Sequence, residues 1–381
     1  MSDVHRPLRS PIEMLDKSFI QQHGLAKYLQ RLLSMQAFWA ADEDVARSGH
    51  CHNHIGEGQC GIVYALCNTH DVVKVVKEGK VPSLEQDSRT HERVLATFDN
   101  LDNAIVKPAI NIPGLVTWIE PEDWAWWAAQ GVDETDRGMY PAILSHSLVT
   151  SRILPLQETA HEALFDYFAP SQLKIEPERS KALGEETNRD CLIRIYLGRR
   201  QPRSPTANFK LRNFDLMVNE MEALHLDTSI YATTMARTLA ILHWGGVGTD
   251  GNDIEFVLGE ALRANPVPSL SEFCKMAPSD LRRKDSMYPA EQALGMWLLD
   301  FNQCAFFDHD KAGLKRLVDA FFWTDPYYPW PNSKDARDEA LWKVCKEAYL
   351  ETSEKVAELN MARDFIDAVE GHRPSIASLF S

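Results

Sequence analysis

The sequence predicts an α+β fold in two lobes, a small lobe built on an antiparallel sheet followed by a larger helical lobe. Three observations carry this. Residues 61–77 are rich in β-branched side chains and are interrupted by Asn68-Thr69-His70-Asp71, a turn-forming cluster, which is the pattern of a hairpin. Residues 217–244 and 335–369 show long helical periodicity. Between these two textures, polar and Pro-containing sequence runs from Pro155 to Ser204, placing a boundary near residue 155 and units at 1–155 and 156–381.

Taken in chain order, residues 11–47 begin with Ile12, Leu15, Ile20, Leu25, Leu29, Leu32 and Phe38 at helical spacing, predicting one or two amphipathic helices. The hairpin follows. Residues 82–98 return to helical texture, and 105–119 and 142–156 read as further strands. No internal repeat or low-complexity tract interrupts this order.

Composition narrows the function classes. With 381 residues, 44% of them hydrophobic, the chain can bury a substantial core. Acidic residues outnumber basic ones 55 to 40, for a formal charge of −15, and no Lys/Arg run occurs, so a nucleic-acid backbone or an anionic membrane is repelled on average. The first residues lack the apolar stretch of a secretory signal, and nothing resembles a membrane span, so a cytoplasmic protein is expected. Seven scattered cysteines read as reduced, mostly buried thiols.

The chemistry-bearing residues fall in a telling order. Gly56, Gly58 and Gly61, followed by Val63, match a loop whose bare backbone covers nucleotide phosphates; taken alone, this is a weak signal that also fits a permissive hairpin turn. Lys74, in Val72-Val73-Lys74-Val75, is a costly guest on an apolar strand unless it meets an anion, and is expected to hold the α- and β-phosphates. Lys77 is its rival, on the opposite side of the strand. Glu92, in the next helix, is expected to pair with the lysine, with Glu85 as the fallback. Ser151 and Ile153, where the two units join, are expected to contact the nucleotide.

In the second half, Leu242-His243-Trp244 ends a helix and residues 245–258 read as a catalytic loop. Asp250 stands where an aspartate accepts the substrate proton, and Glu255, five residues on, stands where an asparagine binds metal. Asp300, in Leu298-Leu299-Asp300-Phe301-Asn302, ends an apolar strand and fits the metal-binding aspartate of an Asp-Phe-Gly motif with Asn302 in place of glycine. Mg²⁺ is expected between Asp300 and Glu255. Glycine loop, strand lysine, helix acid, loop aspartate and strand-end aspartate occur in the order of a protein-kinase-like fold. Gly248-Thr249 replaces the usual His-Arg pair, and no Ala-Pro-Glu segment follows Asp300. A small-molecule acceptor is therefore favoured over a protein.

Residues 209–214, 242–244, 252–259, 299–304 and 325–329 resemble a family of fungal proteins of unknown function, often labelled zinc-finger-like and grouped with kinase-like folds. The resemblance covers roughly residues 140–375. It implies the fold and a fungal origin, without a settled activity.

Other features have ordinary readings beside functional ones. His50-Cys51-His52-Asn53-His54 with Cys60 invites zinc, but the spacing fits no standard site. Trp118, Trp124, Trp126 and Trp127 either line an acceptor pocket or pack between the lobes. Arg199, Arg200 and Arg203 lie in the polar insertion, as a solvated loop or as a cover for the cleft.

The leading expectation is an ATP- and Mg²⁺-dependent phosphotransferase acting on a small molecule, set in fungal secondary metabolism. Lys74 and Asp250 would be the catalytic residues. The alternatives are an ATP-driven activating enzyme (ligase, dehydratase or cyclase) and a non-catalytic pseudokinase-like scaffold.

Overall fold

The β-branched run after Gly61 forms the hairpin its composition predicts: β2 (Gly61–Ala65) pairs antiparallel with β3 (Asp71–Val76), Val63 opposite Lys74. The computed structural model describes residues 11–34, 54–66, 69–102, 104–114, 117–129, 145–203, 209–261, 293–323, 326–356 and 360–372. Among them the chain is a mixed α/β structure with two five-stranded sheets and eleven α-helices.

Two helices, α1 (Pro11–His23) and α2 (Leu25–Leu33), precede the first sheet, which also takes β1 (His54–Glu57), β5 (Thr117–Ile119) and β6 (Ser147–Ser151). Its order is β1-β2-β3-β6-β5, antiparallel throughout. Alternation along β3 decides its two faces: Val73 and Val75 are buried with Trp127 of α4 (Trp124–Ala129), and Lys74 points the other way. On that other face α3 (Val81–Asp99) packs through Leu84 against Leu148 and Cys60. The tryptophans thus divide: Trp127 is core, with Trp126 edge-on to it at 4.8 Å.

The second sheet has the order β4-β10-β9-β7-β8. Its members are β4 (Ile110–Asn111), β7 (Ile193–Tyr196), β8 (Phe214–Met217), β9 (Glu255–Ala261) and β10 (Ala293–Leu299). The polar insertion is more structured than its composition suggests, since it folds into α5 (Glu158–Phe168), α6 (Glu178–Gly184) and β7. Burial of Leu164, Phe165, Ile193 and Ile195 overrides the polar texture around them. β4 comes from the first third of the chain yet runs parallel to β10, with Asn111 Nδ2 donating to Met296 O at 3.2 Å.

Helices complete this half: α7 (Val218–Ala223), α8 (Thr228–Trp244), α9 (Lys311–Trp323), α10 (Ala336–Val356) and α11 (Asn360–Gly371). Asp227 caps α8 by accepting from Ser229 N. Beyond that cap, α8 is buried around most of its circumference and packs along α10, so it is the central helix of the larger core. The N-terminal helices, assigned by sequence to the first unit, instead join this core: Tyr28, Leu29 and Leu33 are buried in it, and the Tyr231 hydroxyl donates to Leu33 O. No helix of the described residues is long and apolar enough to cross a membrane. Cys60, Cys191, Cys304 and Cys345 are free and buried, as expected.

At the C-terminal end of α8, the Tyr349 hydroxyl accepts from Trp244 Nε1 and faces His243 Nδ1, both at 2.8 Å. Burial pushes the His243 pKa down to about 3, so the ring is neutral and accepts the hydroxyl proton. Tyr349→Phe strands both groups in the core. A loss on the order of 2 kcal/mol is expected in urea denaturation; a loss near zero would show that the triad is not a structural link.

Candidate functional site

A cleft between the two sheets gathers most of the residues singled out from sequence. Gly56, Gly58, Val63, Lys74, Ser151, Ile153, Glu255 and Asp300 all line it. Gly61, Glu92 and Asp250 do not. Gly61 supports the loop from beneath: Gly58 N donates to Gly61 O at 2.9 Å, and a Cβ on Gly61 would stand 2.8 Å from Val75 O. A side chain there would force apart the two strands that carry the loop and Lys74.

Lys74 meets two carboxylates, Asp87 Oδ2 at 2.6 Å and Asp300 Oδ1 at 3.0 Å. Burial works against its charge, but these acids outweigh burial and raise its pKa above the ordinary 10.5. Asp300 was expected; Asp87 was not. Glu92 lies on the exposed face of α3 and Glu85 pairs with Arg89, so neither serves as the helix acid. The buried stripe of α3 is Leu84, Asp87, Ser88, His91 and Val94, and a carboxylate within it was the available signal. Asp87 also accepts from Phe301 N at 2.9 Å, tying α3 to the segment after β10. Lys77, the rival lysine, pairs with Glu57 at 2.5 Å, away from this centre.

Asp300 has φ of 62°, a left-handed conformation costly for a non-glycine residue. Asn302, at the motif's glycine position, donates its amide to Asp300 Oδ1. A Cβ on Gly58 would lie 3.9 Å from Asp300 Oδ2, so the glycine loop hangs over this carboxylate.

The second expected metal ligand behaves differently. Glu255 opens β9, directly across from Leu299, and its carboxylate is bound by Arg194 of β7. Asp300 and Glu255 line one cleft, yet each is already partnered by a cation. Arg194 sits between Ile193 and Ile195, a cation on an apolar strand just as Lys74 is. In the same cleft, Arg152 pairs with Asp190 at 2.8 Å.

Asp250 is 4% exposed and does not line the cleft. Its Oδ1 accepts from Ala305 N at 2.9 Å and Asn252 N at 3.1 Å, and its Oδ2 faces Arg316 at 3.8 Å. Burial raises its pKa above the ordinary carboxylate value. Gly248 and Gly251, with φ of 68° and 64°, shape the turn that carries it.

Arg199, Arg200 and Arg203 do not line the cleft. Arg199 approaches Asp215, Arg200 binds Glu222 and Asp338, and Arg203 binds Glu220 and Asp215, which ties β7, β8, α7 and α10 together. Of the histidine cluster only His54 lies within the described residues, 3.2 Å from Glu186. Among the described residues no group of three or more His, Cys, Asp or Glu side chains could hold a metal ion.

The sequence model of a family described as "Zinc finger protein" matches residues 296–361. That stretch contains the strand end with Asp300, α9 and α10. Its cysteines, Cys304 and Cys345, are buried, and burial raises both thiols, Cys345 to about 12. No curated protein and no solved structure matches the chain.

Proposed function

We propose that the chain is a two-lobed, protein-kinase-like protein that binds ATP in this cleft and, with Mg²⁺, transfers a phosphoryl group to a small molecule. One observation carries the reading: Lys74, on the central strand beneath a glycine loop, bridges a helix carboxylate and a strand-end carboxylate. Kinases use this lysine to hold phosphates and this aspartate to hold metal. The antiparallel order of the first sheet, with α3 supplying Asp87, supports the same fold. A fungal origin rests on the sequence resemblance described above.

Asp300 fits the ion: its carboxylate lines the cleft beneath the loop that would cover the phosphates. Glu255 does not fit while Arg194 holds it. Bound Mg²⁺ would neutralise charge on the phosphoryl group. Lys74 and the loop amides position the nucleotide, which supplies most of the catalysis in such transfers. Asp250 Oδ1 is anchored by two backbone N–H groups, leaving Oδ2, on the Arg316 side, to accept the acceptor's proton. Its raised pKa suits that task. The cleft measures about 220 Å³, below the roughly 300–1,000 Å³ of pockets that enclose a small-molecule ligand. A nucleotide therefore enters only as the lobes part or with its outer portion in solvent.

The expected result of thermal-shift titration is stabilisation by ATP that depends on Mg²⁺, about 2.7 kcal/mol at a hundredfold excess over Kd. GTP and ADP compared in the same way give the base and phosphate preferences. No shift with any of the three would end the nucleotide reading. A phosphorylated product marks transfer, whereas AMP with a condensed product marks activation of an acceptor. Nucleotide binding without turnover is the second reading, favoured by the burial of Asp250 and the Arg194–Glu255 pair.

A further inference from the structure

The charges around the cleft do not balance evenly. Around the cleft Arg194 holds Glu255, Arg152 holds Asp190 and Lys77 holds Glu57. Lys74 instead serves two acids, Asp87 and Asp300. Two carboxylates against one ammonium leave a surplus of one negative charge at Asp300.

The strand register places Arg194 beside Glu255. Arg194 on β7 lies opposite Val257 on β9, two residues from Glu255 and so on the same face. Glu255 in turn lies opposite Leu299, the neighbour of Asp300. The guanidinium is therefore fixed by the sheet beside the position at which protein kinases hold their second metal ion. An arginine in that place offers directional donors suited to phosphate oxygens.

Building on the nucleotide reading above, we infer that the cleft takes a single divalent cation, on Asp300, and that Arg194 supplies the second positive charge to the phosphates. Glu255 is then a positioning residue for Arg194 and not a metal ligand. The cleft sets aside one of the two ions that protein kinases use.

Counting bound Mn²⁺, which prefers the same oxygen ligands as Mg²⁺, tests this by equilibrium dialysis with a saturating β,γ-imido analogue of ATP. One protein-dependent Mn²⁺ per chain is expected in the parent and in Glu255→Gln, and none in Asp300→Asn. Arg194→Met is expected to weaken binding of the analogue about tenfold or more, and Arg194→Lys to restore part of it. Two Mn²⁺ per parent chain, or loss of Mn²⁺ from Glu255→Gln, would overturn the inference while leaving the nucleotide site intact. A parent that binds no analogue, with or without Mn²⁺, would overturn the nucleotide reading and this inference with it.

Discussion

Lys74→Met is expected to lower the stability of the unliganded protein by about 3–5 kcal/mol, because it leaves the buried Asp87 carboxylate and the half-buried Asp300 carboxylate facing each other without their cation. Methionine matches the lysine stem in length, so packing beneath the glycine loop is largely kept. The pH dependence separates charge from packing. In the parent, the folded pKa of Lys74 lies above its ordinary 10.5. Its stabilisation is therefore complete below that value and fades only as pH rises through the folded pKa. Urea denaturation at neutral pH reads the deficit, and its shrinkage in strongly alkaline solution marks the part that depends on the lysine charge. A deficit below about 1 kcal/mol at neutral pH would show that the pairing contributes little.

Asp300→Asn is expected to remove the Mg²⁺-dependent part of nucleotide stabilisation, the full ~2.7 kcal/mol at a hundredfold excess over the parent Kd. The unliganded protein should lose little, since Lys74 keeps Asp87 at 2.6 Å and the surplus negative charge is gone. Asp250→Asn is the counterpart. It should leave nucleotide binding near the parent value and lower turnover about 10²–10⁴-fold, the range for loss of a general base. Equal thermal shifts in the parent and Asp300→Asn would remove Asp300 from the metal site.

The parts of this site legible in sequence were those that break a local pattern in a short element. Lys74 stands out among valines, and Asp300 ends an apolar strand, so each declared itself by the cost of its place. Asp87 escaped because a helix spreads its buried positions over three- and four-residue steps. Glu92 met the expected chemistry but falls off the stripe set by Leu84, His91 and Val94. Arg194 escaped although its strand carries the same signal as that of Lys74. The pairing of α1 and α2 with the helical half was not legible at all, because an amphipathic helix shows that it has an apolar face and not what covers it. The structure of 157–203 was hidden for a related reason, its core residues being too few and too widely spaced to register against the polar sequence around them.

The short strand β4 also bears on how the chain reaches this structure. Asn111 and Met296, whose carbonyl its side chain bonds across the two strands, are 185 residues apart. A contact so distant in sequence carries a large loop-closure cost, and contacts of this kind slow folding. During synthesis from the N-terminus, the hairpin of β2 and β3 has its partners early, whereas β4 must wait until β10 has emerged. In refolding, protection of amide hydrogens at Ile110 and Asn111 should therefore appear together with that of β10, well after protection of β2 and β3.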